Sequence, residues 1–279
     1  MGQSVIKLDF GARNYDASLG RWMNVDPLAE LDYNLAPYNY TMNNPVFLTD
    51  PTGLSTHVTL NDEGNWVVVD GGDPDDGDNN IYIIAYDEDG CAYNIGLSIG
   101  ESLTSHSFYN DKGQAVEGAV IDLNDNSGQN FFNDEIKSIG LFEYMSNAKG
   151  GEPLDFKKRD MPKSLTREGE TQYSYRGMSF QGKIASARDV GNYAAGYLAG
   201  KSGFSWSQSR FAFDALETNQ VKGTMNTFLF YPFNRVREGQ PTQLAQHEGY
   251  DLGLSIFKQR QFELQWQKAT NPMLDRRRW

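Results

Sequence analysis

The stretch SARDVGNYAAGYLA, residues 186–199, decides the fold of the second half of this chain. Its large apolar residues recur three and four positions apart, which predicts a helix with one buried face. That face holds Val190, Tyr193, Ala194, Tyr197 and Leu198. Because glycines at positions 191, 196 and 200 allow a close approach, we expect tight packing against another helix.

Two more helices are predicted outward from this stretch, toward the C-terminus. The sequence SWSQ at 205–208 is a capping box, and it predicts a helix that continues to about residue 219. Pro241 suits the first position of a final helix that runs to about residue 268. Residues 151–180 are predicted to form an irregular bridge. We therefore expect a mainly α-helical C-terminal module over residues 151–279.

Residues 55–150 show the alternation and the turn signals of β structure. Turn sequences such as NDEG at 61–64 and NDKG at 110–113 recur about every ten residues, which predicts a small antiparallel sheet or sandwich. The predicted strands cover residues 58–60, 66–69, 81–86, 93–97, 105–109 and 119–123. The expected fold class is therefore α+β, with a small antiparallel β-rich module ahead of the helical one.

The composition limits the class of protein. With 279 residues, 39% of them hydrophobic, the chain is long enough for one large or two modest domains. No apolar run approaches the roughly 20 residues that span a bilayer, and the first residues lack a classical signal peptide. The single cysteine, Cys91, excludes an internal disulfide and a zinc site built on several thiolates.

The net charge of −12 conceals a difference between the two halves of the chain. Residues 1–160 hold 9 Lys and Arg against 27 Asp and Glu, which gives −18. Residues 161–279 hold 16 against 10, which gives +6. An acidic surface repels nucleic acid, whereas a basic surface binds phosphates and releases counterions. If the protein binds RNA or DNA, we expect the C-terminal half to make the contact.

Residues 1–54 resemble the closing segment of an RHS/YD-repeat core. The matching pieces are LDFGARNYD at 8–16, LGRW at 19–22, DPLAE at 26–30 and PVFLTDPTGL at 45–54. The last piece matches the Pro-x4-Asp-Pro-x-Gly-Leu signature of that family. The resemblance implies an RHS core tail followed by a variable cargo, usually a toxin. It also implies an RHS cage or secretion apparatus as partner, and a cargo secreted or delivered into a target bacterial cell.

Related cores release their cargo by self-cleavage directly after the terminal Gly-Leu, with aspartates as the catalytic pair. The resemblance places Asp26 and Asp50 in the roles of these aspartates and the cut after Leu54. Two neighbouring carboxyls that share one proton supply an acid and a base for amide hydrolysis. The alternative is that both Asp-Pro pairs only form turns.

The C-terminal part is similar to the polymorphic toxin type 44 family. The matching pieces are GG at 150–151, DFK at 155–157, DVGNY at 189–193 with Gly196, and Gly249 in the last predicted helix. Where the family pattern has a terminal acidic cluster, this chain has EGQP at 238–241. The resemblance implies a toxin, and with it a cognate immunity protein as partner.

Asp155, Lys157 and Lys158 form the first candidate site. If this segment is extended, Asp155 and Lys157 project to one side and can share a phosphate or an attacking hydroxyl. Loops on a rigid scaffold are also where catalytic groups concentrate. The alternative is an ordinary solvated salt bridge.

Arg188, Asp189 and Asn192 form the second candidate site, at the start of the helix predicted over residues 186–199. Asp189 and Asn192 are three residues apart and share a helix face. A helix N-terminus attracts anions, and Arg188 adds a bidentate phosphate donor. The alternative is that Asp189 only caps the helix.

The sequence HEGYD at 247–251 forms the third candidate site. His247 and Asp251 are one helical turn apart, so they can form an acid–base pair or bind one metal ion. The alternative is a solvated helix face, and we predict no metal site from this pattern. His57 and His106, in the acidic half, are predicted to be structural.

Calcium is the one cofactor that the sequence raises. The acidic stretches 70–78 and 122–128 space oxygen ligands at alternate positions, as calcium loops do. Both lack the bidentate Glu at position twelve of an EF-hand loop. The alternative is that they are ordinary hairpin loops.

We therefore expect the C-terminal toxin, or effector, of an RHS-type polymorphic toxin used in interbacterial competition. In the preferred hypothesis it is a nuclease that acts on RNA or DNA, because the C-terminal half is basic. Lys157, Arg188 and Asn192 would then bind phosphate, and Asp155 or His247 would act as acid or base.

Two other classes of function stay open. A cell-wall (peptidoglycan) hydrolase would use paired carboxylates such as Asp155 and Asp189. A non-enzymatic binding domain or a decayed cargo would use none of these residues for chemistry.

Overall fold

The computed structural model describes residues 7–9, 14–16, 21–23, 56–70, 78–86, 92–222 and 235–270. Strands and helices largely occupy separate runs of the chain, which confirms the α+β class. The chain forms two compact units. Unit 1 comprises Met1–Asp125 and Lys163–Ser186, and unit 2 comprises Asn126–Pro162 and Ala187–Trp279. The RHS core tail over residues 1–54 and the module boundary at residue 150 stay predictions.

The described strands all belong to unit 1 and form two sheets. A small antiparallel sheet has the order β1-β2-β3, and a seven-stranded sheet has the order β10-β9-β8-β5-β4-β6-β7. The strands are β1 Lys7–Asp9, β2 Asn14–Asp16, β3 Arg21–Trp22, β4 Thr56–Leu60, β5 Trp66–Asp70, β6 Asn80–Tyr86, β7 Ala92–Glu101, β8 Val120–Asp122, β9 Gly177–Phe180 and β10 Lys183–Ser186.

The larger sheet is mixed, so the prediction of a purely antiparallel sheet was wrong. β4 pairs with β6 in parallel, and β8 pairs with β9 in parallel. The other neighbours are antiparallel. Parallel strands need long connections, and residues 123–176 separate β8 from β9. Turn signals report only short-range pairing, which is why the sequence did not reveal these two ladders.

The hairpin of β4 and β5 confirms the predicted strands at 58–60 and 66–69. Val58 pairs with Val68, and Leu60 pairs with Trp66. The side-chain Oδ1 of Asn61 accepts the backbone N–H groups of residues 63 and 65, at 3.1 and 2.9 Å. Gly64 supplies the positive φ of 79° that closes the turn. Local hydrogen bonding therefore determines this hairpin.

The predicted strand at 105–109 was wrong, because these residues form turns. Short hydroxyl side chains satisfy the backbone there: Ser107 Oγ accepts the N–H of Thr104 at 3.0 Å. Only Tyr109 makes a β-bridge, to Ala115. A cluster of apolar side chains forms the hydrophobic core of unit 1. Its fully buried members include Val58, Val68, Ile81, Phe108, Ala119 and Ile121.

Five of the six described α-helices lie in unit 2, and α3 lies in unit 1. The helices are α1 Ser127–Asn130, α2 Leu141–Asn147, α3 Arg167–Ser174, α4 Ala187–Lys201, α5 Trp206–Lys222 and α6 Gln240–Thr270. A π-helical turn, Phe131–Glu135, and a 3-10 turn, Ile136–Ser138, continue α1.

Three helices confirm the sequence predictions. α4 covers the predicted stretch 186–199 except for Ser186, which ends β10, and α6 begins one residue before Pro241. The capping box at the start of α5 is reciprocal. The Ser205 N–H donates to Gln208 Oε1 at 2.9 Å, and the Gln208 N–H donates to Ser205 Oγ at 3.3 Å.

Two predictions about the middle of the chain were wrong. Helical structure at 127–147 lies inside the predicted β-rich stretch, and α3 lies inside the predicted irregular bridge. The bridge also contains β9. α3 is capped by Thr166, whose Oγ1 accepts the N–H of Gly169 at 3.1 Å. Both errors concern short elements, for which periodicity is a weak signal.

α4 and α6 pack backbone against backbone, as the glycines of α4 predicted. A Cβ atom placed on Gly196 would lie 1.8 Å from the carbonyl oxygen of Gln246. A Cβ atom placed on Gly249 of α6 would lie 2.0 Å from the carbonyl oxygen of Tyr193. Atoms cannot approach so closely, so neither position accepts a larger residue without separation of the helices.

Candidate functional site

All six of the predicted catalytic residues lie in unit 2. Asp155 is 4% exposed, and its Oδ2 accepts the N–H of Gly151 at 3.0 Å. The 3-10 turn Phe156–Lys158 follows directly, and it exposes Lys157 while Phe156 is buried. Asp155 therefore closes a short loop from inside, whereas Lys157 faces solvent. That Asp155 and Lys157 share a phosphate or an attacking hydroxyl stays a prediction.

The loop that carries Asp155 is held against the helix-like turns after α1. Phe156 stacks on Phe131 with ring centroids 4.8 Å apart. Arg159 makes a two-pronged ion pair with Glu135, at 2.6 and 2.7 Å. The hydrogen bond from Arg159 lowers the pKa of Glu135 below its ordinary value, although partial burial opposes this effect. These contacts fix the position of the Asp155 loop.

Tyr144 connects the Asp155 loop with the beginning of α4. Its hydroxyl donates to the carbonyl oxygen of Gly191 at 2.6 Å. Burial raises the pKa of Tyr144, and the charge of Asp155 raises it further. The second predicted group, at 188–192, thus lies in the same region of unit 2 as Asp155.

Arg188 and Asp189 form a buried ion pair at the first turn of α4. Arg188 is 7% exposed and Asp189 is fully buried. The guanidinium donates to Asp189 Oδ1 from Nε at 3.3 Å and from Nη2 at 3.0 Å. Asn192 is half-buried one turn later. The structure therefore brings Arg188, Asp189 and Asn192 together, but it turns the charged pair toward the protein interior.

His247 lies on the exposed side of α6. Its Nδ1 is 3.3 Å from Asp251 Oδ2, at the predicted spacing of one turn. The imidazole also meets Trp206 edge to face, with ring centroids 4.7 Å apart. About half of the His247 side chain is exposed, so solvent reaches the imidazole directly.

A group of five residues that the sequence analysis missed forms a network of buried charges in unit 2. We call it the Arg210 cluster, and it comprises Arg210, Asp214, Arg235, Glu238 and Gln246. Arg210 and Asp214 come from α5, and Gln246 comes from α6. The other two members lie just before α6. The i, i+4 spacing of Arg210 and Asp214 was the one sign of it in the sequence.

Arg210 lies at the centre of the cluster. It is 7% exposed, and its Nη1 donates to Glu238 Oε2 at 2.8 Å and to Gln246 Oε1. Its Nη2 donates to Asp214 Oδ1. A single guanidinium therefore binds two carboxylates and an amide from three segments of the chain.

Asp214 is 1% exposed and accepts several hydrogen bonds. Besides Arg210, its carboxylate accepts from Arg235 Nε at 2.6 Å and from the backbone N–H of Glu238 at 3.2 Å. Two guanidinium groups thus compensate this buried charge, as a buried carboxylate requires.

The surroundings of Glu238 in the Arg210 cluster shift the pKa of its carboxyl group. Burial raises the pKa of Glu238 above its ordinary value, and hydrogen bonds and charge from Arg210 oppose the rise only in part. Gln246 Nε2 donates to Glu238 Oε2 at 3.0 Å. A carboxyl whose pKa is moved toward neutrality is suited to general acid–base catalysis.

Trp206 joins the Arg210 cluster to His247. The Arg210 guanidinium lies 5.8 Å from the Trp206 ring centroid, and His247 contacts the same ring. Gln246 and His247 are also consecutive in α6. The region around the Trp206 ring therefore contains a carboxyl group with a raised pKa, two guanidinium groups and an accessible imidazole. This set can transfer protons and stabilise a developing negative charge without a metal ion.

The remaining predictions concern other parts of the chain. Asp26, Asp50 and Leu54, the predicted self-cleavage residues, lie outside the described residues. Much of the acidic loop at 70–78 lies outside them too. In the loop at 122–128, Asp122 Oδ1 accepts the N–H of Asn124 at 2.8 Å. No group of three or more potential metal ligands occurs among the described residues, and calcium stays a prediction.

Within the described ranges, no helix has the length and apolar character that a membrane crossing requires. Comparisons with models of protein families, with curated proteins and with solved structures found no match to this chain.

Proposed function

We propose that this chain is the toxin portion of an RHS-type polymorphic toxin and that unit 2 is a nuclease that needs no metal ion. The observation that carries the proposal is the Arg210 cluster beside His247. The resemblance of residues 1–54 to an RHS core end supports the delivery into a target bacterium. The resemblance of the C-terminal part to toxin 44 supports a cognate immunity protein as partner.

The residues near Trp206 divide the work of phosphodiester cleavage as follows. The Glu238 carboxylate removes a proton from the attacking hydroxyl or water, and His247 protonates the oxygen that leaves. Arg235, whose side chain is 29% exposed, stabilises the extra negative charge on phosphorus oxygens in the transition state. Arg210 and Gln246 hold Glu238 in place. The pKa of Glu238, raised by burial, makes it a stronger base than an ordinary Glu carboxylate.

The region around Tyr144 has a different role in this proposal. Asp155, Arg188 and Asp189 are buried, so they position the loop and α4 on which the site depends. Lys157 and Asn192 reach solvent and contribute to phosphate binding. The basic character of the C-terminal half supports contact with a polyanion.

A peptidoglycan hydrolase is the second candidate. One observation favours it: Asp214 and Glu238 are two carboxylates bound to a single guanidinium, and burial raises the pKa of Glu238. Glycosidases use such a pair, with a protonated carboxyl as acid and an ionised one as nucleophile or base. Asp214 is 1% exposed, however, and a sugar ring must reach both groups. This makes the nuclease the better explanation.

The decisive experiment compares substrates and variants of the purified full chain. We would incubate it with RNA, with DNA and with peptidoglycan, each in the presence of EDTA. The variants are Glu238→Gln and His247→Ala, with Glu248→Gln as the matched control. Glu248 is adjacent to His247 on α6 and, unlike Glu238, it is exposed. We expect cleavage of RNA or DNA that both active-site variants reduce by about 100-fold or more, and the control leaves unchanged.

Other outcomes identify the alternatives. Release of muropeptides, lost in Glu238→Gln, would replace the nuclease with the cell-wall hydrolase. No reaction with any of the three substrates, together with toxicity in cells that Glu238→Gln does not relieve, would establish a non-enzymatic cargo. Growth arrest upon cytoplasmic expression, relieved by Glu238→Gln, is the expected result for a nuclease toxin.

A further inference from the structure

The C-terminal part of α6 is a helix with every residue exposed. We call residues 258–270 the α6 extension. The preceding turns of α6 pack against α4, but the extension continues for thirteen residues as exposed helix. It nevertheless carries large apolar side chains: Phe262 is 65% exposed, Leu264 51% and Trp266 62%. Exposed apolar groups concentrated on one element mark an interaction surface.

The charge of the α6 extension indicates the chemistry of its partner. Lys258, Arg260 and Lys268 outnumber Glu263, so the extension has a net charge of +2. Arg260 also acts on the end of α4: burial lowers the pKa of Lys201, and the charge of Arg260 lowers it further. The extension is thus a basic element, which favours an anionic partner.

The two aromatic rings of the extension are arranged for flat ligands. Phe262 and Trp266 are one helical turn apart, and their ring planes differ by 24°. The ring centroids are 6.5 Å apart, so the two rings form one aromatic surface on the helix. The exposed face of either ring can therefore take a nucleobase. Every base has a flat π-face, so this contact does not depend on sequence.

We infer that the α6 extension binds single-stranded nucleic acid, with Phe262 and Trp266 stacked on bases and Lys258 and Arg260 on phosphates. Aromatic rings combined with cations are the usual means by which proteins hold unpaired strands. Bases in a duplex are already stacked on one another, so the rings discriminate in favour of single strands. The inference rests on the proposed nuclease, for which it names the class of substrate.

Binding is tested separately from cleavage. The full chain with Glu238→Gln, titrated into fluorescently labelled oligouridylate in EDTA, gives the dissociation constant from anisotropy. Adding Phe262→Ala and Trp266→Ala is expected to weaken binding by about tenfold or more. The matched control is Phe142→Ala, because Phe142 lies on α2 of the same unit and is 77% exposed. Circular dichroism confirms that each variant keeps its helices.

The charge contribution has its own signature in salt. Replacing Lys258 and Arg260 with Gln should reduce the slope of log affinity against log salt by about 0.7 for each phosphate that the variant no longer neutralises. A duplex of the same length should bind the parent chain more weakly than the single strand does.

Several results would overturn the inference. Unchanged affinity in the Phe262→Ala/Trp266→Ala variant would do so, as would equal weakening by Phe142→Ala or equal affinity for duplex. Binding of anionic phospholipid vesicles that depends on both rings, with no binding of oligouridylate, would assign the extension to a membrane surface instead. Binding without any cleavage by the parent chain would keep this inference and refute the proposed nuclease.

Discussion

Unit 1 and unit 2 bury different kinds of polar side chain. Among the described residues, the buried polar groups of unit 1 are Ser102, Thr104, His106, Ser107 and Ser186, and none carries a fixed charge. Those of unit 2 include Asp155, Arg188, Asp189, Arg210 and Asp214. Unit 1 nevertheless has the larger net charge: it holds 8 Lys and Arg against 23 Asp and Glu, which gives −15, compared with 17 against 14 in unit 2, which gives +3.

The two units place their charged side chains in different environments, and this difference indicates which unit is suited to catalysis. Among the described residues, the charged side chains of unit 1 stay in contact with water, where they cost little and do little beyond repelling polyanions. Unit 2 desolvates several charges, and each such group is destabilising unless partners compensate it. Proteins concentrate perturbed ionisable groups at functional sites. The contrast therefore favours unit 2 as the place of catalysis, and it can be tested residue by residue.

The largest effect is expected from Asp214→Ala. This change leaves Arg210 and Arg235 without the carboxylate that both contact, so unfolding free energy should fall by about 3–5 kcal/mol. The matched change in unit 1 is Asp70→Ala, because Asp70 pairs with His57 but is 48% exposed. It should reduce stability by less than about 1 kcal/mol. Denaturant unfolding and hydrogen exchange of unit 2 peptides measure the difference.

Similar losses in the two variants would remove the distinction between the units. Asp251→Ala is a second control, since Asp251 lies on α6 and its side chain is 63% exposed. Its effect should stay within about 0.5 kcal/mol.

The next effect concerns the glycine contact of α4 with α6. Gly196→Ala places a methyl group 1.8 Å from the Gln246 carbonyl oxygen, so the helices must separate, at about 1–3 kcal/mol. Gly191→Ala lies in the same helix, and its nearest atom is the Tyr144 hydroxyl at 3.7 Å. It should be neutral or stabilising by up to about 1 kcal/mol. A melting-temperature series measures both, and equal destabilisation would contradict the proposed packing.

A smaller effect is expected in the apolar core of unit 1. Ile121→Val removes one methylene from a residue that is 1% exposed, at about 0.5–1.5 kcal/mol. Faster hydrogen exchange should appear in β8 and its neighbour β9. Val120→Ala on the same strand is the control, because Val120 is 38% exposed. If Val120→Ala reduced stability more than Ile121→Val does, the buried face of the sheet would be the face that carries Val120.

The elements that could be predicted from the sequence are those determined by local interactions. The β4–β5 hairpin follows from the hydrogen bonds of Asn61, and the start of α5 follows from the capping box at 205–208. The parallel ladders of β8 with β9 and of β4 with β6 depend on contacts across long connections. No turn or periodic pattern encodes such contacts, so the sheet order was out of reach.

The same reasoning explains which site residues could be predicted. His247 is close in sequence to Asp251, and Arg188 is next to Asp189; each pair is in contact in the structure. In the Arg210 cluster, Glu238 is 28 residues from Arg210 along the chain. Only the packing of α5 with the segment before α6 brings them together. A single sequence contains no signal for that contact.

The smallest predicted effect is a dependence of stability on pH that arises from Glu238. Burial raises the pKa of Glu238 above its ordinary value of 4.5, against the opposing influence of Arg210 and with the help of the Asp214 charge. The folded protein therefore holds this proton more tightly than the unfolded chain. The contribution of Glu238 is fully present below pH 4.5 and is lost as pH rises through the folded pKa.

Glu238→Gln removes this titration while keeping the shape of the side chain. The stability of the parent minus that of the variant should decline as pH rises above 4.5 and become constant above the folded pKa. Taking the difference cancels groups that titrate equally in both proteins, such as Glu135. Urea midpoints at a series of pH values provide the curve. A difference that increases with pH would mean that Arg210 stabilises the carboxylate more than burial destabilises it, and Glu238 would then be a structural ion pair rather than a base.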